Sequence, residues 1–133
     1  MNPEITLLVH NIRSTHNVGA IFRTAEGFGV KKIILSGYTP YPELSLCSKA
    51  PACALVDGEI RSEDPRLPHI REKITSQIHK TALGAESLVP FEFYEDINDW
   101  IKENQRTENL PIIALEQSKD SLMLPEFQPP EKF

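Results

Sequence analysis

The chain has 133 residues and a mass of 15.0 kDa, the size of one domain, with 40% hydrophobic and 25% charged residues. This composition excludes a disordered tail and a collagen-like chain. A membrane-spanning protein is also excluded, because a spanning helix needs about 20 consecutive apolar residues and no apolar run approaches that length. The net charge of −5 is unevenly spread, since residues 1–84 contain ten Lys or Arg and eight Asp or Glu, against four and eleven in residues 85–133. An anionic partner is therefore expected to bind the first part.

The start of the chain and its two cysteines favour a cytoplasmic protein without a metal site. Only four residues, none of them basic, precede the short apolar run Ile5–Val9, so no secretion signal is predicted. Cys47 and Cys53, with five residues between them, have no His or Cys cluster beside them. Neither a disulfide framework nor a bound metal is therefore expected.

The first predicted elements form a strand, a helix and a second strand. Ile5–Val9 is β-branched and apolar, which predicts a central strand of a parallel sheet, covered on both faces. A polar turn at residues 11–16 leads into a helix from about Asn17 to Phe28, predicted from apolar residues at helical spacing: Val18, Ile21, Phe22 and Ala25. Val30–Leu35 is the second predicted strand. Residues 1–37 are thus expected to form a βαβ unit with a right-handed crossover.

The rest of the chain continues the alternation after an irregular segment. Residues 38–68 contain five of the eleven prolines and are predicted to be a loop segment, with a short helix around Leu44 to Leu55. The remaining elements, in residues 69–133, are an amphipathic helix that Pro68 opens and Gly84 ends, a short strand Phe91–Tyr94, a helix from Ile97 to about Gln105 and a buried strand Pro111–Leu115. The predicted fold class is α/β, a Rossmann-like, mainly parallel sheet with flanking helices.

Polar side chains gather at the predicted turn between the first strand and the first helix. In an open parallel sheet, ligands bind beyond the carboxyl ends of the strands, where the following helices begin. The turn supplies Asn11, Arg13, Ser14, Thr15, His16 and Asn17. The free N–H groups and the positive dipole end of a helix N-terminus suit a phosphate. An anion site is predicted here, while the missing glycine motifs exclude the standard dinucleotide and P-loop sites.

Arg23 is the most unusual residue of the predicted helix. Because helical side chains lean towards the N-terminus, its guanidinium is predicted to pass over the bare backbone of Gly19, one turn earlier, towards the anion-binding end. A glycine within a helix costs about 1 kcal/mol relative to alanine, so Gly19 indicates a close approach by some group. Two alternatives remain: Arg23 pairs with Glu26 on a solvated face, and Asn17 is an N-cap or turn residue whose amide bonds the first N–H groups of the helix.

His10 and His16 flank the same turn. Neither histidine has a carboxylate at a recognisable spacing, so both are expected to be turn and surface residues rather than acid–base groups.

Residues 11–30, read as the string NIRSTHNVGAIFRTAEGFGV, resemble motif 1 of the SpoU (TrmH) branch of the SPOUT RNA methyltransferases. Two weaker stretches agree: Lys80–Glu86, and Ile113–Gln117, which is similar to the strand before motif 2. The resemblance implies transfer of a methyl group from S-adenosylmethionine to a ribose 2′-hydroxyl of tRNA or rRNA. It also implies a homodimer with a trefoil-knotted α/β domain.

The resemblance assigns roles to individual residues. Asn17 matches the motif 1 asparagine that orders the active site, and Arg23 matches the arginine that binds substrate phosphate and assists removal of the 2′-hydroxyl proton. Leu115 matches a position that lines the cofactor pocket, although a leucine there is equally a core residue. The remaining motif 1 residues implied to contact RNA phosphate or ribose are Asn11, Arg13, His16 and Glu26.

The chain also departs from the family pattern. Motif 2, with its Gly-x-Glu-x-x-Gly loop, and motif 3, with its Ser-Leu-Asn segment, do not occur in the sequence, and the motif 2 strand would begin at about Phe133. Residues 1–133 are therefore expected to form an incomplete SPOUT methyltransferase domain, truncated before the knot, lacking most of the cofactor pocket and inactive alone. The alternative is a non-catalytic RNA-binding or dimerisation module derived from that family.

Overall fold

The structure, a computed structural model, describes residues 2–46 and 52–133. Its helices and strands are, in chain order, β1 (Thr6–His10), α1 (Thr15–Gly27), β2 (Lys32–Ser36), β3 (Cys53–Val56), β4 (Glu59–Arg61), α2 (Pro68–Ala82), β5 (Phe91–Tyr94) and α3 (Ile97–Arg106). Short 3₁₀ turns lie at Leu44–Leu46, Ala85–Ser87 and Leu124–Glu126.

The five strands form one sheet in the order β1-β2-β5-β3-β4. Strands β1, β2, β5 and β3 run parallel to one another. Only β4 is antiparallel, and it pairs with β3. The predicted α/β class with a mainly parallel sheet is confirmed. The prediction that the first strand is central is wrong, because β1 lies at an edge of the described sheet. Apolar residues on both faces require cover above and below a strand, and they do not fix its lateral position.

The predicted βαβ unit is confirmed, with shifted boundaries. Helix α1 begins at Thr15, two residues earlier than predicted, because the hydroxyl of Ser14 accepts a hydrogen bond from the backbone N–H of Asn17 at 3.2 Å. Ser14 is therefore the N-cap, and the alternative that Asn17 caps the helix is wrong. β2 runs to Ser36, one residue further than predicted.

Helices α1 and α2 cover one face of the sheet. Phe22 of α1 meets Phe91 of β5 edge to face, with ring centroids 5.7 Å apart. The same core contains Val18, Ala25, Ile33, Leu35, Phe93, Ile78 and Ala82. The predicted helices and the short strand after residue 68 are confirmed as α2, α3 and β5.

Within residues 38–68 the prediction of irregular structure is wrong for 53–61, which form the β3–β4 hairpin. Its turn residues Asp57 and Gly58 have φ of +51° and +75°, as in the type I′ turn that Asp-Gly favours. The predicted helix from Leu44 to Leu55 is wrong beyond the turn at Leu44–Leu46, since Cys53–Val56 is a strand. Residues 47–51, with Cys47, lie outside the described residues.

Arg66 fixes the loop that follows β2. Its guanidinium bonds both carboxylate oxygens of Asp64, at 2.6 and 2.9 Å, and donates to the carbonyl oxygens of Tyr41 and Pro42 at 2.7 and 3.1 Å. It also lies 3.7 Å from the centroid of the Tyr41 ring, which is stacked on Phe93. The loop is thereby attached to the core from two sides.

The prediction of a buried strand at Pro111–Leu115 is wrong. These residues belong to no strand, and the side chains of Ile112, Ile113 and Leu115 are 55, 41 and 95% exposed. A strand needs the free backbone groups of a neighbour. The outer edge of β1 is already bonded to the last residues of the chain, with Thr6 N–H donating to the Phe133 carbonyl at 2.6 Å.

No helix in residues 2–46 and 52–133 combines the length and hydropathy needed to cross a membrane.

Candidate functional site

Hydrogen bonds between His10, Asn11 and the loop after β2 join the carboxyl ends of β1 and β2. The Tyr38 N–H donates to Asn11 Oδ1 at 3.2 Å, which orients the amide so that its Nδ2 donates to His10 Nε2 at 3.0 Å. The ring proton of His10 therefore lies on Nδ1, where it donates to the Ser36 hydroxyl at 2.9 Å. Both side chains position the two loops. His10 is exposed, as predicted, but it is the last residue of β1 and not part of the turn.

Thr39, a buried residue, connects the same two loops, which follow β1 and β2. This residue is 2% exposed. Its hydroxyl lies 2.7 Å from the Ser36 carbonyl oxygen and 3.1 Å from that of Val9, and it accepts a hydrogen bond from the Ile12 N–H at 3.1 Å. This threonine could not be singled out from the sequence, because two of its partners, Val9 and Ile12, lie about 30 residues earlier and no motif marks it.

Replacing Thr39 with valine is expected to lower the free energy of unfolding by about 1–3 kcal/mol, because the isosteric side chain cannot donate to the Val9 and Ser36 carbonyl oxygens or accept from the Ile12 N–H. Urea denaturation followed by circular dichroism measures the loss. Thr39→Ser, which keeps the hydroxyl, serves as the control and is expected to lose less. Equal stability of Thr39→Val and the wild type would show that these bonds do not hold the loops.

The first turn of α1 lies beside the last turn of α2. The Thr81 hydroxyl donates to the carbonyl oxygen of His16 at 2.7 Å, and Lys80, the preceding residue, is exposed. The side chains of His16 and Asn17 are also exposed. The structure thus brings Thr81, which follows His16 by 65 residues, and the neighbouring Lys80 to the predicted anion-binding end of α1.

The interpretation of Gly19 as a place for the Arg23 side chain is wrong. A Cβ atom at Gly19 would lie 2.9 Å from the backbone nitrogen of Ala82 and closer still to the carbonyl oxygen of Ile78. The glycine is required because α2 packs directly against the backbone of α1. The close approach was correctly predicted, but the approaching group is a helix backbone and not a guanidinium.

Arg23 lies on the exposed side of α1 instead. The exposed residues His16, Asn17, Ala20, Arg23 and Thr24, which we call the α1 stripe, follow one another at helical spacing. A helical side chain covers the turn before its own Cα, so the Arg23 side chain is expected to extend over the small Ala20 towards Asn17. Among the described residues Arg23 forms no ion pair, so the alternative pairing with Glu26 is wrong. The guanidinium is free to bind an external anion.

Arg13, Glu26 and Leu115 lie in three different places. Arg13 is exposed at the carboxyl edge, with Cζ 5.8 Å from the centroid of the Tyr38 ring. Glu26 lines a cavity of about 260 Å³ with Val30 and Pro90, which precede β2 and β5, so it lies towards the opposite edge of the sheet. Leu115 is 95% exposed. The structure therefore places the predicted residues of the β1–α1 turn and of the α1 stripe on neighbouring segments, whereas Glu26 and Leu115 lie elsewhere.

A second polar cluster lines a cavity of about 320 Å³ on the sheet face opposite α1. Lys32 and Glu92 form an ion pair at 2.9 Å, and the Tyr94 hydroxyl donates to Glu92 at 3.1 Å. Burial raises the pKa of the Cys53 thiol and of the Tyr94 hydroxyl, so both stay protonated and are poor nucleophiles near neutral pH. The described residues contain no group of three His, Cys, Asp or Glu side chains that could hold a metal ion.

Comparison with known proteins gives no match to a protein-family model, to a curated protein or to a solved structure. The chemistry of the carboxyl edge is therefore inferred from its own residues and from the motif in which they stand.

Proposed function

We propose that this chain binds RNA at the carboxyl edge of its sheet, as the substrate-binding part of a ribose 2′-O-methyltransferase of the SpoU type. The supporting observation is the α1 stripe, on which Asn17 and Arg23 are both exposed and Arg23 has no ion pair among the described residues. These are the two residues to which the motif 1 resemblance assigns the active site. Under this proposal the complete enzyme is a cytoplasmic homodimer with a knotted α/β domain.

The chemistry of the stripe suits an RNA backbone. A guanidinium is always charged and offers a planar fork of donors that matches the oxygens of a phosphate. Arg13 and Lys80, both exposed at the same edge, add two further positive charges. A fixed cation beside a ribose 2′-hydroxyl also stabilises the alkoxide as the proton leaves. Arg23 is therefore proposed to bind phosphate and to assist deprotonation, with the Asn17 amide orienting the ribose.

S-adenosylmethionine supplies the methyl group in the family that the sequence resembles, but the residues present here do not fit it. Leu115, the residue assigned to its pocket, is 95% exposed and belongs to no strand. For this reason the proposal for residues 1–133 alone is RNA binding without methyl transfer.

The exposure of Leu115 also favours the second candidate, a non-catalytic RNA-binding or dimerisation module. Isothermal titration calorimetry of the chain with S-adenosylmethionine tests the absence of a cofactor pocket. Heat of binding with a defined stoichiometry would contradict both the absence of the pocket and the non-catalytic module.

Replacing Arg23 with alanine is expected to weaken the binding of single-stranded RNA and to reduce the steepness of its salt dependence. One lost phosphate contact lowers the slope of log K against log salt concentration by about 0.7. Fluorescence anisotropy of a labelled oligonucleotide at several salt concentrations measures both changes. The matched control is Arg106→Ala, which removes the same charge from α3, where Arg106 is 72% exposed and paired with Glu103. Arg23→Ala binding with unchanged affinity and slope would exclude Arg23 from the site.

A further inference from the structure

Tyr38 is an exposed aromatic residue on a fixed backbone. It is 61% exposed, yet its N–H donates to Asn11 Oδ1, and the preceding Gly37, at φ +66°, donates to the Tyr94 carbonyl at 3.1 Å. The next residue is the buried Thr39, whose hydroxyl contacts both β1 and β2. The ring is therefore held outward by its backbone and is not exposed through looseness of the loop.

The surroundings of Tyr38 are cationic. The guanidinium carbon of Arg13 lies 5.8 Å from the ring centroid, within the range of a cation–π contact. Tyr41, on the same loop, is only 6% exposed and stacks on Phe93. Of these two tyrosines, Tyr41 completes the core, and Tyr38 presents an aromatic face beside the positive charge of Arg13 at the carboxyl edge of the sheet.

An aromatic face next to guanidinium groups is the combination that binds an unpaired nucleotide, since the base stacks and the phosphate pairs with the cation. A ring whose backbone is already fixed loses little conformational freedom when a partner stacks on it. A continuous A-form duplex keeps its base faces stacked and offers them to no side chain. Tyr38 therefore suits an unstacked base and not the interior of a helix.

We infer that Tyr38, with Arg13 beside it, is a stacking platform for one unpaired base of the RNA, so that the substrate is single-stranded at the bound nucleotide. This inference rests on the proposed function and adds the class of RNA to it. Tyr38 is a specificity-determining residue, whereas Arg23 supplies the contact to the backbone.

The experiment compares a labelled single-stranded RNA with an abasic oligonucleotide of the same length, which keeps the phosphates and lacks the bases. Tyr38→Ala is expected to weaken binding to the RNA on the order of tenfold and to leave binding to the abasic oligonucleotide unchanged. Tyr38→Phe keeps the ring and is expected to bind both like the wild type. Phe28→Ala is the matched control, because Phe28 is an aromatic residue 83% exposed at the other end of α1.

The possible results separate the platform from the proposed function. If Tyr38→Ala binds the RNA as tightly as the wild type, or loses as much affinity for the abasic oligonucleotide, the platform is wrong. The proposed function still stands in that case if Arg23→Ala weakens binding. If the wild-type chain binds neither oligonucleotide, the proposed function is wrong and the platform with it. Thermal unfolding of each variant checks that the substitutions leave the fold unchanged.

Discussion

Replacing Gly19 with alanine is expected to lower the free energy of unfolding by about 3 kcal/mol, a large effect for the addition of one methyl group. The new Cβ would lie 2.9 Å from the backbone nitrogen of Ala82 and closer to the carbonyl oxygen of Ile78. These are backbone atoms of α2, which cannot rotate aside as the end of a side chain does. The two helices must separate, and the core between them loses contacts.

Thermal and urea unfolding measure this loss, and α1 itself provides the control. Gly27, the last residue of the same helix, has no heavy atom within 4 Å of the position of an added Cβ. Gly27→Ala is expected to be neutral or to stabilise the chain by up to about 1 kcal/mol, because alanine has less freedom to lose on folding. A Gly19→Ala variant as stable as Gly27→Ala would mean that α1 and α2 do not pack this closely.

The same substitution is expected to disturb the candidate site. Separation of the helices moves Thr81 away from the carbonyl oxygen of His16, and with it the exposed Lys80. RNA affinity is therefore expected to fall in Gly19→Ala even under conditions in which the variant remains folded. Gly27→Ala, at the opposite end of α1, is expected to leave RNA affinity unchanged.

Gly19 also shows what could be predicted from the sequence. A glycine inside a helix indicates that some group comes close, and this proved right. The group itself is the backbone of α2, about 60 residues later, and nothing in the local sequence identifies it. The order of the strands has the same limit, since the apolar pattern of β1 shows that its faces are covered but not which strands lie beside it.

The candidate site could be predicted where it is local and not where it is assembled from distant segments. The β1–α1 turn and the exposed Arg23 follow from a continuous run of about 13 residues. Tyr38, Thr39 and Thr81 reach the same edge through the β1–β2 pairing and the α1–α2 contact, which no spacing rule reveals. The β3–β4 hairpin is different, because Asp57-Gly58 is a recognised turn signal from which this hairpin could have been predicted.

Replacing Asp64 with asparagine is expected to cost about 3–5 kcal/mol of stability, because it leaves the buried charge of Arg66 without its anion. The two side chains are only 4 and 15% exposed. Arg66 also bonds the Tyr41 and Pro42 carbonyls, so its displacement releases the loop that starts at Tyr38. Glu63→Gln, the same change in charge at the exposed neighbouring residue, is the control and is expected to change stability by less than about 0.5 kcal/mol.

The pH dependence of stability tests the same ion pair without breaking it. Burial by itself would raise the pKa of Asp64, but the hydrogen bonds and charge of Arg66 outweigh it and hold that pKa below the ordinary value of 3.8. A carboxyl group with a lowered pKa in the folded state stabilises the fold fully above its ordinary pKa, and this contribution is lost as the pH falls through the lowered one. The exposed Glu4 and Glu103, whose pKa values are also lowered, respond in the same direction. The difference in unfolding free energy between the wild type and Asp64→Asn is therefore expected to be constant near neutral pH and to shrink below pH 3.8. A difference that stays constant through this range would show that Arg66 does not stabilise the ionised form of Asp64.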